Sequence, residues 1–373
     1  MQKVLNSDSI KATLLEKGWD QKRLACEIGV SAQAVTNWFK GKDFPRPDKL
    51  LKLSTSLSLS FAKLVQPDAA APIVAFRKKA GSKTTDDHTL QAQMKGSLLR
   101  PLVPYLKPLQ ALRTLIPAPS TIYIELQNTV ASVRQRLGVG QQAVLTYGHL
   151  IRDFAENDAV IIPVMWGKKN VHENAIHILL RQERVTFIYL NLDTHIEDFK
   201  FWMAHEHAHV FTPDLAGSNQ GEDFADAFAG ALLFPMELAQ KAYSHAIAHT
   251  LPSQQLNVLQ QFASAHSISL NSVYKEVSNY ARASGLSVLQ LIEKQIHVAR
   301  TVNRGELVSE TLFQPRPPEP GTYIAAARNL FETQFFEALQ RMLREHGTGI
   351  GYLQQIMDLS IADATALHRE LLR

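Results

Sequence analysis

Residues 201–211, FWMAHEHAHVF, and residues 221–235, GEDFADAFAGALLFP, carry two helical patterns whose polar positions fall at matched spacing. Each residue of an α-helix advances about 100°, so positions i and i+4 lie about 40° apart on one face. His205 and His209 stand in that relation and can share one metal ion. Glu206 sits beside them, in reach of a water at such an ion without ligating it. His207 falls near the opposite side of the helix, which makes it a poor ligand despite its place between the two. In the second pattern Glu222 and Asp226 are again i and i+4. Glu222 supplies a third protein ligand and leaves a fourth tetrahedral position for water. Asp226 is then placed to accept the free ring N–H of a ligating histidine. Phe201, Trp202, Met203 and Val210 give the first helix its apolar face; Phe224, Phe228, Leu232 and Leu233 bury the second, and Pro235 ends it.

Upstream of these helices the pattern is mixed. It predicts helices over 124–137 and 142–157, and strands over 159–165, 175–180 and 185–190, the last rich in β-branched and aromatic residues. Downstream, residues 236–300 read as wholly helical, the Pro-rich 304–321 as a linker, and the tail from Tyr323 as helical again. Residues 66–88 shift to Ala, Pro, Lys, Ser and Thr and read as a linker or extended arm. Pro101, Pro104, Pro108 and Pro117 break the stretch 89–118 into helical pieces. Cys26 is the only cysteine, so intrachain disulfides and thiolate metal clusters are excluded, and any metal falls to His and carboxylate. Two imidazoles and one carboxylate suit zinc, although iron, manganese or cobalt could occupy such a site.

The two helices resemble the ImmA/IrrE-type zinc metallopeptidases, in which H-E-x-x-H is followed by E-x-x-A-[N/D]-x-F-A and an L-L-x-P ending. Glu222, Ala225, Asp226, Phe228, Ala229, Leu232, Leu233 and Pro235 all match. The lead-in from Thr121 is also similar, so the likeness covers roughly 120 to 130 residues and is specific at the two helices. One departure is His207-Ala208, which stands where a bulky apolar residue and Gly or Ala are usual; it leaves the ligand set intact. The resemblance implies a gluzincin site with Zn2+ held by His205, His209 and Glu222, and Glu206 as the general base that carries a proton to the leaving amine. Such peptidases often add an oxyanion donor; His172, His177, Tyr189 and His195 are candidates, and the sequence does not choose among them. The resemblance also implies partner repressors as substrates.

Residues 1–80 hold fourteen Lys/Arg against seven Asp/Glu, whereas the whole chain carries only +4. That asymmetry is expected of a nucleic-acid-binding module attached to a near-neutral body. Leu14 and Leu15 anchor a first helix, and Leu24, Ala25 and Ile28 line a second. Gly29 supplies a left-handed turn, Ser31 an N-cap for 32–39, and Leu50, Leu51, Leu53 and Leu57 a further stripe. The string Gln21-x-x-Leu24-Ala25-x-x-x-Gly29-Val30-Ser31, then Val35-Thr36-x-Trp38 and Gly41, resembles an XRE-type helix-turn-helix, similar to the lambda-repressor group, over residues 9–64. Helix-turn-helix proteins set the second helix of the pair in the major groove, here Ala32 to Lys40. Ser31 begins it, and Gln33, Thr36 and Asn37 face outward, the amides suited to adenine. Gln21, Lys40, Lys42 and Arg46 are placed for phosphates, while Val35 and Trp38 pack inward. In the tail, Ser360-Ile361-Ala362 has a faint likeness to a second such turn but lacks a glycine, and reads first as core packing.

The expected fold is α+β and predominantly helical. Its order is an all-α helix-turn-helix domain over 1–65, a linker and helical arm over 66–120 and a zincin-like α+β peptidase domain with a small sheet over 121–240. A helical extension over 241–303, a Pro-rich linker over 304–322 and a helical C-terminal domain over 323–373 follow. The expected function is a DNA-binding regulator with a zinc endopeptidase site, acting on a repressor-type protein or on itself, for instance within 66–88. The alternative is a repressor or antitoxin whose peptidase fold is a binding platform for a toxin or signal; a third reading is a conventional cytosolic peptidase with an accessory domain. Expected partners are operator duplex DNA, a protein substrate and a second copy, since helix-turn-helix proteins read paired half-sites. No apolar run approaches the roughly 18 residues of a membrane span, and the first twenty residues lack a secretory pattern, so a cytoplasmic location is the expectation.

Overall fold

In the computed structural model the chain divides into two compact units, residues 1–71 with 85–93, and residues 72–84 with 94–373. The structure describes residues 3–67, 71–76, 86–107, 113–166, 175–291, 293–302 and 305–373. Among them, no helix is long and apolar enough to cross a membrane.

The first unit strings together α1 (Ser7–Glu16), α2 (Gln21–Ile28), α3 (Ala32–Phe39), α4 (Pro47–Leu57) and α5 (Phe61–Leu64). Ile10, Leu14, Leu24, Ala25, Ile28, Val35, Trp38, Leu53 and Leu57 form its core. Leu15 and Leu51 do not join it, at 83% and 58% exposed, because each points away from the stripe its helix buries. The unit is also not all-α: β1 (Lys3–Leu5) pairs antiparallel with β2 (Val65–Pro67), Leu5 opposite Val65, and ties its two ends together. Short apolar runs at both ends of a helical segment leave backbone groups unpaired, and pairing them satisfies those groups.

The second unit is built on a four-stranded sheet in the order β3 (Ile73–Phe76), β5 (Ala175–Leu180), β6 (Val185–Asn191), β4 (Ala159–Val164). β4 runs parallel to β6, and the other pairs are antiparallel. Part of the 66–88 stretch expected as an arm is therefore an edge strand, with Val74 and Ala75 buried; its residues 68–70 and 77–85 lie outside those described. In the register, His177 stands opposite Ile188, and Ile176 opposite Tyr189. Because strand side chains alternate, His177 and Tyr189 point to opposite faces of the sheet.

On the His177 face lies α9 (Ile196–Phe211), packed along α10 (Asn219–Leu233) and beside α8 (Tyr147–Glu156), with α7 (Tyr123–Arg136) against α10. α8 begins five residues later than its pattern predicts, since Thr146 takes the N-cap and its N–H donates to His149 Nδ1 at 3.1 Å. The stretch 236–300 breaks into α11 (Met236–Ile247), α12 (Pro252–His266), α13 (Leu270–Ala283) and α14 (Glu293–Val302). Two buried cations hold carbonyls of this unit. Arg134 donates to Leu232 O, Gly140 O and Ala143 O, and Lys200 donates to His266 O at 2.7 Å. Burial pulls the Lys200 ammonium down to about 8.

The Pro-rich segment read as a linker is packed instead. It forms α15 (Val308–Leu312), and its Val308 and Ser309 N–H groups donate to Thr194 O and Leu192 O at the end of β6. Arg316 also pairs with Asp193 at 3.0 Å. The tail then forms α16 (Pro320–Leu330), α17 (Phe335–His346), α18 (Ile350–Met357) and α19 (Ile361–Leu372). On the Tyr189 face of the sheet, the Tyr189 hydroxyl donates to Ile356 O at 2.7 Å and the Trp166 indole to Met357 O at 3.1 Å, which docks the end of α18. The outer carbonyls of edge strand β4 accept from Thr333 and Tyr323.

Candidate metal centre and nucleic-acid interface

α9 and α10 bring the three sequence-predicted metal ligands together. His205 and His209 are fully buried and Glu222 partly so, with one ligand atom from each within 4.8 Å of the others. The two imidazole Nε2 atoms are 3.1 Å apart. Glu222 Oε2 lies 3.5 Å from His205 Nε2, and Oε1 lies 3.4 Å from His209 Nε2. Metal–ligand bonds of about 2.0–2.1 Å in a tetrahedron require ligand-to-ligand edges of about 3.3–3.4 Å. The imidazole separation and the distances from the imidazoles to the two carboxylate oxygens lie close to those edges. Asp226 Oδ1 is 3.0 Å from His205 Nδ1, which holds a proton on Nδ1 and leaves Nε2 as the nitrogen aimed at the shared point.

Electrostatics bind the cluster. Burial works against a charged His205 ring, but the carboxylates of Asp226 and Glu222 outweigh it and hold its pKa up at about 9. Burial likewise raises Glu222, and the facing imidazoles of His205 and His209 override it, to about 2.

Glu206 is 2% exposed and turned toward the sheet, its Oε2 3.2 Å from His177 Nδ1. His177 is itself fully buried and its ring lies 5.3 Å from that of His209. Burial holds its pKa below the ordinary imidazole value despite the carboxylate beside it. The strongest positional signal for His177 was present in the sequence: it is the one polar side chain in the strand AIHILL. Its neighbour is Glu206. Of the other oxyanion candidates, Tyr189 is committed to Ile356 O on the opposite sheet face. His195 sits at the far end of α9 against Gly305 O, and His172 lies outside the described residues. His207 points away from the cluster, as its spacing predicts, with Nε2 2.8 Å from Leu150 O and Nδ1 3.0 Å from Asp153.

α10 approaches α13 so closely at Gly230 that a Cβ there would lie 2.5 Å from Glu276 Oε1. The absent side chain lets the ligand helix seat against its support.

In the first unit, α2 ends at Gly29 in the left-handed region (φ 67), and Ser31 accepts from Ala34 N at 3.1 Å to start α3. Lys49 of α4 donates to Ile28 O and Gly29 O, fastening that turn; nothing in its local pattern marks it, because the partner is twenty residues away. Gln21, Ser31, Gln33, Lys40 and Lys42 are exposed, Thr36 and Asn37 partly so, and Val35 and Trp38 are buried. Gln33 Nε2 donates to Asn37 Oδ1 at 2.9 Å, which aligns two amides on the outer face. Thr36 turns its hydroxyl onto Ala32 O and offers its methyl outward. Replacing Gln33 and Asn37 together with alanine is expected to weaken binding to a specific duplex by about 1–3 kcal/mol per lost bidentate contact. Titration of a labelled duplex by fluorescence anisotropy checks this, and unchanged affinity would remove α3 from the groove.

No curated protein and no solved structure matches the chain. Residues 10–64 match the family model described as helix-turn-helix. The N-terminal unit is an XRE-type helix-turn-helix domain, and it supports a DNA-binding transcriptional regulator.

Proposed function

We propose that this regulator carries a zinc-dependent endopeptidase site that cleaves a repressor-type protein or the chain itself. The observation that supports the reading is the convergence of His205 Nε2, His209 Nε2 and the two Glu222 carboxylate oxygens, with Asp226 behind His205. Two imidazoles and a carboxylate are a donor set suited to zinc. Bound there, zinc would supply Lewis acidity toward a peptide carbonyl. Glu206 accepts the proton of the attacking water and passes it to the leaving amine nitrogen. His177, buried behind it, fixes the carboxylate in place. Asp226 keeps His205 in the tautomer that presents Nε2. A DNA-binding domain on the same chain would bring the peptidase to the operators where repressors sit.

The test is incubation of the zinc-loaded chain alone and with unfolded casein, read by mass spectrometry for new termini. Cleavage in the native chain should fall on the order of 10²–10⁴-fold in Glu206→Gln, with zinc content unchanged. A chain that holds zinc and cuts neither substrate would sink the endopeptidase reading and favour a binding platform of repressor or antitoxin type.

A further inference from the structure

The helix-turn-helix geometry occurs again at the C-terminus. α2 spans eight residues, then comes left-handed Gly29, half-buried Val30 and Ser31 as N-cap of α3. α18 also spans eight residues, followed by Asp358 in the left-handed region (φ 53), half-buried Leu359 and Ser360, which accepts from Asp363 N at 3.2 Å to cap α19. Four buried positions correspond, Leu24 with Leu353, Ile28 with Met357, Val35 with Ala364 and Trp38 with Leu367, whereas buried Ala25 falls on half-buried Gln354 and buried Ile356 on exposed Glu27. Thr36 and Thr365 each bond the carbonyl four residues back, at 3.0 and 2.7 Å. Lys40 and Arg369 are both exposed at the next outward position. The missing glycine that argued for mere core packing is no obstacle, since aspartate enters the left-handed region readily.

The turn alone does not make a DNA site. Ser267 (φ 51), Ile268 and Ser269 join α12 to α13 in the same way. Yet Leu270, Ser272, Val273, Glu276, Val277 and Ser278 of α13 are buried, so that helix cannot enter a groove. α19 is different. Ile361 is 70% exposed, and Ala362 and Arg369 are exposed with it.

We propose that α19 is a second DNA-reading helix, set in the major groove of duplex DNA. Ile361, Ala362 and the Thr365 methyl face thymine methyl groups, and Arg369 reaches a guanine edge or a phosphate. Residues 335–373 hold four Arg against five Asp/Glu, whereas residues 10–64 hold ten Lys/Arg against five. The phosphate contribution that dominates affinity therefore comes from the first motif. The second adds sequence discrimination as a tethered module, raised in effective concentration by the chain that joins them.

The full chain should be used to select duplexes from a random 40-base-pair library, beside Thr365→Ala/Arg369→Ala and Gln33→Ala/Asn37→Ala. The native chain is expected to enrich two separate sequence elements. The α19 variant should lose one of them and bind the native-selected pool about tenfold more weakly. The Arg369→Ala single change, at an exposed position, should weaken it about threefold and make binding less salt-dependent. An α19 variant that selects the same pool with unchanged affinity, while the α3 variant fails, would overturn the proposal and leave the first motif standing. A changed oligomeric mass with unaltered DNA binding would assign the face to protein and overturn it equally. Retention of no duplex by the native chain would take down both motifs together.

Discussion

Glu222→Ala is expected to leave the chain without its metal, falling from about one zinc per chain to almost none. The loss should be this large because only three side chains converge, and without the carboxylate, whose two oxygens lie 3.4 and 3.5 Å from the imidazoles, just two protein donors remain. Elemental analysis of native and variant protein purified without added metal gives the number. Glu222 lies in the first turn of α10, ahead of the helix's buried apolar run, so the far-UV circular dichroism should not change. Metal uptake should also release protons. In the metal-free cluster His205 stays protonated up to about 9, so zinc must displace that proton, and its affinity should fall as pH falls. A native chain that takes up no metal even when supplied with zinc would end the peptidase reading.

Glu276→Gln is expected to stabilise the second unit at neutral and alkaline pH. Burial raises the Glu276 carboxyl from 4.5 to about 8, and its hydrogen bond from Asn279 and the charge of Lys275 do not offset this. A rise of that size corresponds to about 5 kcal/mol in favour of the neutral form. The folded-state pKa lies above the unfolded one, so this contribution is fully present below pH about 4.5 and is lost as pH rises through about 8. Glutamine keeps the shape and the hydrogen-bonding without the charge. Urea unfolding of both proteins should coincide near pH 4.5 and diverge in the variant's favour by about 3 kcal/mol at pH 7. Equal midpoints at pH 5 and pH 9 would mean that Glu276 is solvated or paired, contrary to its burial.

The convergence of His205, His209 and Glu222 was legible in the sequence because helical spacing fixes which side chains share a face. Given two helices, His205, His209, Glu222 and Asp226 had few other places to go. The same argument sent His207 to the far side. What periodicity did not reveal was pairing across long chain separations. Ile73–Phe76 looked like part of an arm because its partner strand begins about a hundred residues later. Residues 305–321 looked like a linker because proline marks irregular backbone, and irregular backbone can still be packed, as Leu307 and Phe313 are. The sequence did not choose His177 from the four oxyanion candidates, because the register that turns it toward Glu206 depends on the sheet. The left-handed turn at Asp358 was hidden in the sequence, because a residue other than glycine occupies it.

His207 has a consequence for how the centre behaves when empty. It bonds Leu150 O and Asp153, and Asp153 in turn is held low by His207 and Arg136 against the effect of its burial. The ligand helix is thus pinned on its back by a latch that never meets an ion. It cannot roll about its axis, so His205, His209 and Glu206 keep their bearings whatever occupies the space between them. Under the proposed function the centre should behave as a rigid socket: removing metal is expected to leave the scaffold folded, unlike small domains that fold only around their ion.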